Sequence, residues 1–444
     1  MRHALFAAQR AMRDQLRAAL RRGVLGVLDI GTEKTVAVIL RIDPARLAAS
    51  VRDEGHLGGF AAMRVIGVGV TRSRGVRLGE IEDMEECGRA IRTALQKAEK
   101  MAEVRVDQVV AAVSGARPAS FGATGEAEIA GSEVSEADVA RALAACPEPP
   151  EDPAREILHA LPVNFTLDGH SFLSDPRGMT GRRLAVDMHV LSAASAPIRN
   201  LARCVRRCDL ELAGVVTAPY AAALAALVED EQELGAACID MGAGSTGVSI
   251  FLRRQLIFAD AARVGGLHVT RDIAEAFSLD VALAERLKVI HGGAVATGLD
   301  DREMISAPPI GAPEGHDRRI SRAALIGVIR PRLEEILEEA RHLLDAAGFR
   351  HLPSRRIVLT GGASQMPGLE DAARRILGQR VRCGRPLRIA GLPQNAAGAG
   401  FAAAVGLAAY AVRPHDEIWD FEAPSALDGA NRLRRAARWF RENW

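Results

Sequence analysis

The 444-residue chain lacks any charge imbalance. Lys+Arg total 57 against 56 Asp+Glu, a formal net charge of +1, so no global basic field points to nucleic acid. Lysine is scarce: Lys34, Lys97, Lys100 and Lys288 are the only four, leaving 57 − 4 = 53 arginines, which a codon bias explains without any function. Six cysteines are too sparse for a disulfide framework. Cys204 and Cys208 stand four apart, but no nearby His or Cys pair completes a zinc site. No run of about 18 apolar residues is present to span a bilayer. The basic N-terminus is not followed by the apolar stretch of a secretory signal. A cytoplasmic, reducing location is therefore expected. What is present, 48% apolar and 25% charged residues, is ordinary globular composition, and the length suggests roughly two to four domains.

Residues 1–22 read as a basic helix: six arginines and one aspartate, with Leu5, Met12, Leu16 and Leu20 at helical spacing. A solvated extension and a binding helix are equally open, and membrane contact is possible there. From Val24 the apolar runs GVLGVLDIG and VAVIL flank the short turn Thr32–Thr35, a hairpin. A third strand, RVIGVGV (64–70), precedes a helix around 82–101. Residues 104–190 read as a small α+β insert with its own sheet. It starts with the strand VDQVVAAVSG and contains a helix with a capping-type start at Ser132 or Ser135, with Asp138 three residues after the latter. A helix at 197–208, the strand ELAGVV and a helix at 219–230 follow. GAACIDMG (235–242) then opens a second half, with alternation through Phe251 and helices at 267–278 and 281–290. A Pro/Gly-rich surface loop (307–315), a long helix at about 321–347 and a strand from 356 complete it. The strand–glycine turn–strand unit near 29 recurs near 240, so two halves of related design are expected.

Three loops carry the chemistry. In Asp29-Ile30-Gly31-Thr32 an acidic residue ends a buried strand, a glycine admits a ligand close to the backbone and a hydroxyl follows. Backbone N–H groups of such a turn can hold phosphate oxygens, and the carboxylate a hydrated Mg²⁺. Glu33 and Lys34 complete this turn. Asp240-Met241-Gly242-Ala243-Gly244-Ser245-Thr246-Gly247 contains G-x-G-x-x-G, but a strand follows instead of the helix that a dinucleotide fingerprint needs. A hairpin is the better reading. In Leu359-Thr360-Gly361-Gly362-Ala363-Ser364 a strand ends in paired glycines against which a flat ring can lie.

Taken in order, DIGT, DMGAGST and TGGASQMP resemble the phosphate-1, phosphate-2 and adenosine motifs of the actin-like ATPase superfamily. AERLKVIHG (284–292) resembles the adenosine-contacting helix of its chaperone branch, which assigns Glu285 and Lys288 to ribose and adenine. The resemblance covers about residues 24–410. It implies an α/β, actin-like two-lobed fold of duplicated ribonuclease-H-like domains. It also implies ATP and Mg²⁺ as cofactors, with Asp29 and Asp240 at the metal. Within the superfamily, VSEADVARAL, LPVNFTLDG, DPRGMTGRRLAVDMHVLSA and IRPRLEEILEEAR resemble the FtsA family, which ties the FtsZ ring of dividing bacteria to the membrane. That resemblance implies subdomain 1A at 23–103 and 191–234, subdomain 1C at 104–190, 2A at 235–263 and 351–410, and 2B at 264–350. Relatives in the superfamily position the attacking water with Glu or Gln near the helix at 219–230. Here the stretch is Thr217-Ala218-Pro219-Tyr220, so ATP binding with weak or no hydrolysis is expected.

After a polar linker (411–430), residues 431–444 read as a separate helix. Leu433, Ala436, Ala437, Phe440 and Trp444 fall on one narrow face, Arg434, Arg435, Arg438 and Arg441 lie opposite, and Trp439 sits at the boundary. Basic residues opposite aromatic ones describe an in-plane membrane helix. The expected partners are an anionic membrane surface, further copies of the chain in a filament, and the FtsZ C-terminal tail. By resemblance the tail binds at about 264–350, with Arg319, Arg322 and Arg332 as candidate contacts. The expected location is the cytoplasmic side of the inner membrane at the division site. The alternatives are an actin-like protein of type IV pilus assembly and a sugar or acetate kinase of the same superfamily.

Overall fold

The computed structural model describes residues 2–50, 60–150, 152–173, 175–311, 318–412 and 415–420, with side chains from residue 8. The expected linker beyond 420 and the helix at 431–444 lie outside the described residues.

Two compact units emerge. The larger comprises residues 1–121, 151–159 and 189–415, and it contains two five-stranded sheets of the same topology. The first runs Glu211–Thr217, Gln108–Val113, Val24–Ile30, Lys34–Ile42, Met63–Arg72. The second runs, from the opposite edge, Arg380–Cys383, Arg356–Thr360, Ala236–Met241, Thr246–Leu252, Gln255–Ala262. In each, the opening strand pairs antiparallel with the next and parallel with a strand much later in the chain. This is the expected duplication, and it makes two lobes.

Each sheet is covered by amphipathic helices. Ile91 and Leu95 of Met84–Ala102, and Ile198, Leu201 and Val205 of Ser195–Arg206, pack on Leu28, Ile39 and Val109 in the first lobe. Ile273 of Gly266–Phe277 and Leu325, Ile329 and Leu333 of Arg322–Ala346 pack on Ile239, Ile250 and Ile357 in the second. Two further helices, Ala218–Ala226 and Ala402–Val412, are buried at every residue, as helices apolar all round must be. Each follows one lobe and packs on the other: the first touches the Ala236–Met241 strand, the second the Val24–Ile30 strand, and the two pack on each other. Their contact is so close that a Cβ on Gly406 would lie 1.6 Å from the Ala221 carbonyl oxygen.

Two readings are corrected here. The strand Gln108–Val113 does not belong to the insert; it pairs in parallel with Val24–Ile30 in the first lobe. All six of its residues are buried, and such an unbroken apolar run is what a central parallel strand requires. The Arg2–Arg22 helix is no solvated extension over its described side chains. Leu16 and Ala19 are fully buried, and the helix lies along Glu211–Thr217. Arg13 donates to the His415 carbonyl at 2.6 Å, and Arg22 and Gln15 both bond to Gln108. The apolar face at Leu16 and Ala19 is therefore covered by the protein itself.

Among the described residues, the smaller unit comprises 122–150, 160–188 and 416–420. It is carried on a four-stranded sheet of order Ala119–Glu128, Arg183–Ala194, Arg155–Leu167, His170–Leu173. Its helix Glu136–Ala144 starts at Ser135, whose side chain accepts from the Asp138 N–H in a capping box. Val139 and Leu143 of the helix are buried, as are Val186 and Leu184 of the sheet. Part of the stretch read as polar linker is docked: Trp419 is buried, and the Glu417 carboxylate accepts from the Ala160 N–H at 2.9 Å.

Candidate nucleotide site

The two hairpin turns are built alike. After Asp29, Ile30 pairs with Thr35, and the Gly31 N–H donates to the Lys34 carbonyl at 3.0 Å. After Asp240, Met241 pairs with Thr246, and the Gly242 N–H donates to the Ser245 carbonyl at 3.0 Å. Each four-residue turn thus follows an aspartate at the carboxyl end of a buried strand, where open α/β sheets place their ligands. The turns face each other: a Cβ on Gly244 would lie 2.4 Å from Thr32 Oγ1. That hydroxyl accepts from the Gly79 N–H at 2.8 Å, fixing the first turn. The second turn is fixed by the Gly266–Phe277 helix, whose first N–H groups, of Gly266 and Leu267, donate to the carbonyls of Gly242 and Ala243.

Between the lobes lies a cavity of about 400 Å³, within the ordinary range for small-molecule sites. Asp29, Gly31, Thr32, Glu33, Lys34, Asp240, Gly242, Ala243, Gly244 and Ser245 line it. So do Glu285, Lys288, Gly361, Gly362 and Ala363. The structure therefore brings together all the expected cofactor-site residues except Thr246. Thr246 is the first strand residue beyond the turn and is fully buried, and its hydroxyl donates to the Val264 carbonyl at 2.8 Å. Lys288 donates to the Glu285 carboxylate at 2.7 Å, to Thr270 Oγ1 at 2.8 Å and to the Gly266 carbonyl at 3.0 Å. Gly361 adopts φ +85°, and a Cβ there would lie 2.4 Å from Asp240 Oδ1, so both conformation and space demand glycine. Ser114, Gln365, Met366 and Gly400 also line the cavity and were not among the expected site residues. Ser114 ends a parallel strand misassigned to the insert, and Gln365 and Met366 lie in the quoted third motif beyond its glycines.

Burial pushes the Asp29 carboxyl up to about 6, against the opposing effect of Lys34. Burial, then the Asp29 charge, pushes Asp240 up to about 7, again opposed by Lys34. Lys34 is itself lowered by burial and raised by both aspartates. Two carboxylates and one ammonium thus leave a site of negative charge walled by protein, which suits a cation. Among the described residues no cluster of three or more His, Cys, Asp or Glu forms a metal cage, so a cation here would take its other ligands from water or phosphate.

Arg332 and Arg322, expected with Arg319 to meet an acidic peptide, are held within the chain. Arg332 pairs with Asp272 at 2.7 Å and with Glu335, and Arg322 with the buried Asp300 at 2.8 Å. Arg319 is exposed.

Comparisons with known proteins supply the family. Residues 237–406 match the model described as cell division protein FtsA, and residues 115–192 that of the SHS2 domain inserted in FtsA. The chain is 42% identical over 429 residues to the cell division protein FtsA of Rhizobium meliloti, covering 95% of each. The chain belongs to the FtsA family. The FtsA of Agrobacterium fabrum is 40% identical over 430 residues, again covering 95% of each chain. Among solved structures, the fold is similar to that of a PilM–PilN type IV pilus biogenesis complex, with a TM-score of 0.58 and 18% identity over 87% of this chain and 98% of that one. The actin-like two-lobed fold and the FtsA insert, matched over 115–192, are thereby established. Family membership also makes this a cell-division protein and sets the pilus and kinase alternatives aside. Among the described residues no helix is long and apolar enough to cross a membrane.

Proposed function

We propose that this FtsA-family chain binds Mg·ATP between its lobes, polymerises on the cytoplasmic face of the inner membrane, and anchors the FtsZ ring at the division site. The observation that carries the reading is the pair of equivalent aspartate-led turns facing each other across one cavity. Backbone N–H groups within 32–34 and 243–245 would take the phosphates, those of Gly31 and Gly242 being used to close the turns. Glu285 and Lys288 would take the ribose and adenine, and Gly361, Gly362 and Ala363 would lie against the ring. Asp29 and Asp240 would hold Mg²⁺, which when bound neutralises phosphate charge. The two residues of that stretch at the cavity wall, Ala218 and Pro219, have no side-chain atom that can orient a water, so turnover is weak or absent.

The residues at 431–444 would form the in-plane membrane helix, with Leu433, Trp439, Phe440 and Trp444 inserted and Arg434 and Arg438 at anionic headgroups. One such helix binds reversibly; a filament presents many in a row and gains by effective concentration. That couples nucleotide-dependent assembly to attachment. The FtsZ tail would dock on 264–350, where Arg319 is the exposed arginine of the three. Electron microscopy on an anionic lipid monolayer tests the reading. The full chain with ATP should form filaments on the lipid, and the chain ending at residue 430 should not; equal lipid coverage by both would refute the membrane role of the tail.

A further inference from the structure

Lys34 closes the first turn, yet among the described residues it forms no ion pair with either cavity aspartate; they act on it through space. Its ammonium lies instead over the face of the Phe401 ring, 3.7 Å from the centroid. A Cβ on the neighbouring Gly400 would come within 2.8 Å of the same nitrogen. Gly400 and Phe401 thus form a seat for the lysine. The seat is tied to the rest of the site. Phe401 ends the short helical turn Ala399–Phe401, and the Ala399 carbonyl accepts from the Gly361 N–H at 3.2 Å. Gly361 in turn abuts Asp240.

We propose that Phe401 is the positioning residue that presents Lys34 to the phosphates of a bound nucleotide. The inference rests on the nucleotide reading above. A carboxylate in the ring's place would pair with the ammonium and compete with phosphate. An aromatic face attracts a cation through its quadrupole without neutralising it. The lysine is therefore held against Gly400 and Phe401 with its charge still available. The same seat leaves Asp29 and Asp240 free of a lysine partner, so that they face the cavity as a cation site. The sequence hides this arrangement, because Lys34 and Phe401 are 367 positions apart (401 − 34) and Phe401 follows a glycine-and-alanine stretch that reads as a plain loop.

A double-mutant cycle on the full chain, titrated with Mg·ATP, tests it. Phe401→Leu keeps an apolar side chain of similar bulk and should weaken ATP binding about 3- to 10-fold, the range a partly buried cation–π contact supports. Phe401→Trp, which keeps an aromatic face for the ammonium, should restore the affinity. In a Lys34→Met background, Phe401→Leu should change nothing further. An equal loss from Phe401→Leu in both backgrounds, or no loss with Lys34 present, overturns the inference while the nucleotide reading stands. An unaltered chain that binds no Mg·ATP overturns both.

Discussion

Asp29 and Asp240 are suited to a loaded site and ill suited to an empty one. Their folded pKa values, about 6 and about 7, exceed the unfolded value of about 4. The folded chain therefore holds protons that the unfolded chain has released, and the stability linked to these groups is lost as pH rises through 6 to 7. Without nucleotide, Asp240→Asn should raise the thermal midpoint over the unaltered chain more at pH 8 than at pH 5, by about 1 °C for each kcal/mol gained. With Mg·ATP added, the unaltered chain should gain stability and the variant should not. Calorimetry at both pH values checks this; a pH-independent difference would mean that the carboxylates are solvated. Both aspartates and their turns were legible because the signature is local: acid, glycine, hydroxyl, strand on either side. Thr246 was misread for an equally local cause. Only the Met241–Thr246 pairing distinguishes the last turn residue from the first strand residue, and a sequence does not display its register. Gly400 entered the site through space, with no motif to mark it.

The decisive elements are the two buried helices that cross between lobes. Ala218–Ala226 starts at the cavity wall and Ala402–Val412 starts one residue after Phe401, so a ligand's position and the angle between the lobes share one support. Gly406 sets how closely they pack. Gly406→Val should cost about 3 kcal/mol through overpacking, read as a lowered denaturant midpoint, and should weaken ATP binding although residue 406 does not line the cavity. An unchanged midpoint would mean that the helices can separate without strain. The strands and helices of both lobes were legible from periodicity, and their duplication from the repeated hairpin. The destination of Gln108–Val113 was not, since an apolar run does not say which sheet receives it. Nor was the seat of the Arg2–Arg22 helix: an amphipathic face announces that it will be covered, not by what.

At the scale of the whole molecule, a two-lobed body precedes residues 431–444, to which the membrane role is assigned above as a proposal. The family fixes that the body serves division; in the function proposed above, nucleotide acts as a clamp on the lobes rather than as fuel. A purified sample on anionic vesicles should accordingly turn over ATP well below once per minute, because Ala218 and Pro219, the residues of 217–220 that line the cavity, cannot polarise water. Many turnovers per minute would show that a group outside that stretch positions it. Legibility at this scale came from the order of three motifs along some 330 residues, 361 − 29 = 332 between the first and third, and not from any one of them. The central claim is that both aspartate-led turns close on one nucleotide, and a crystal structure of the chain with Mg²⁺ and a non-hydrolysable ATP analogue tests it most directly. The expected result is phosphates held between residues 31–34 and 242–245, the cation between Asp29 and Asp240, and the base against Gly361, Gly362 and Lys288. An analogue bound elsewhere, or a cleft that stays empty at millimolar analogue, would contradict it.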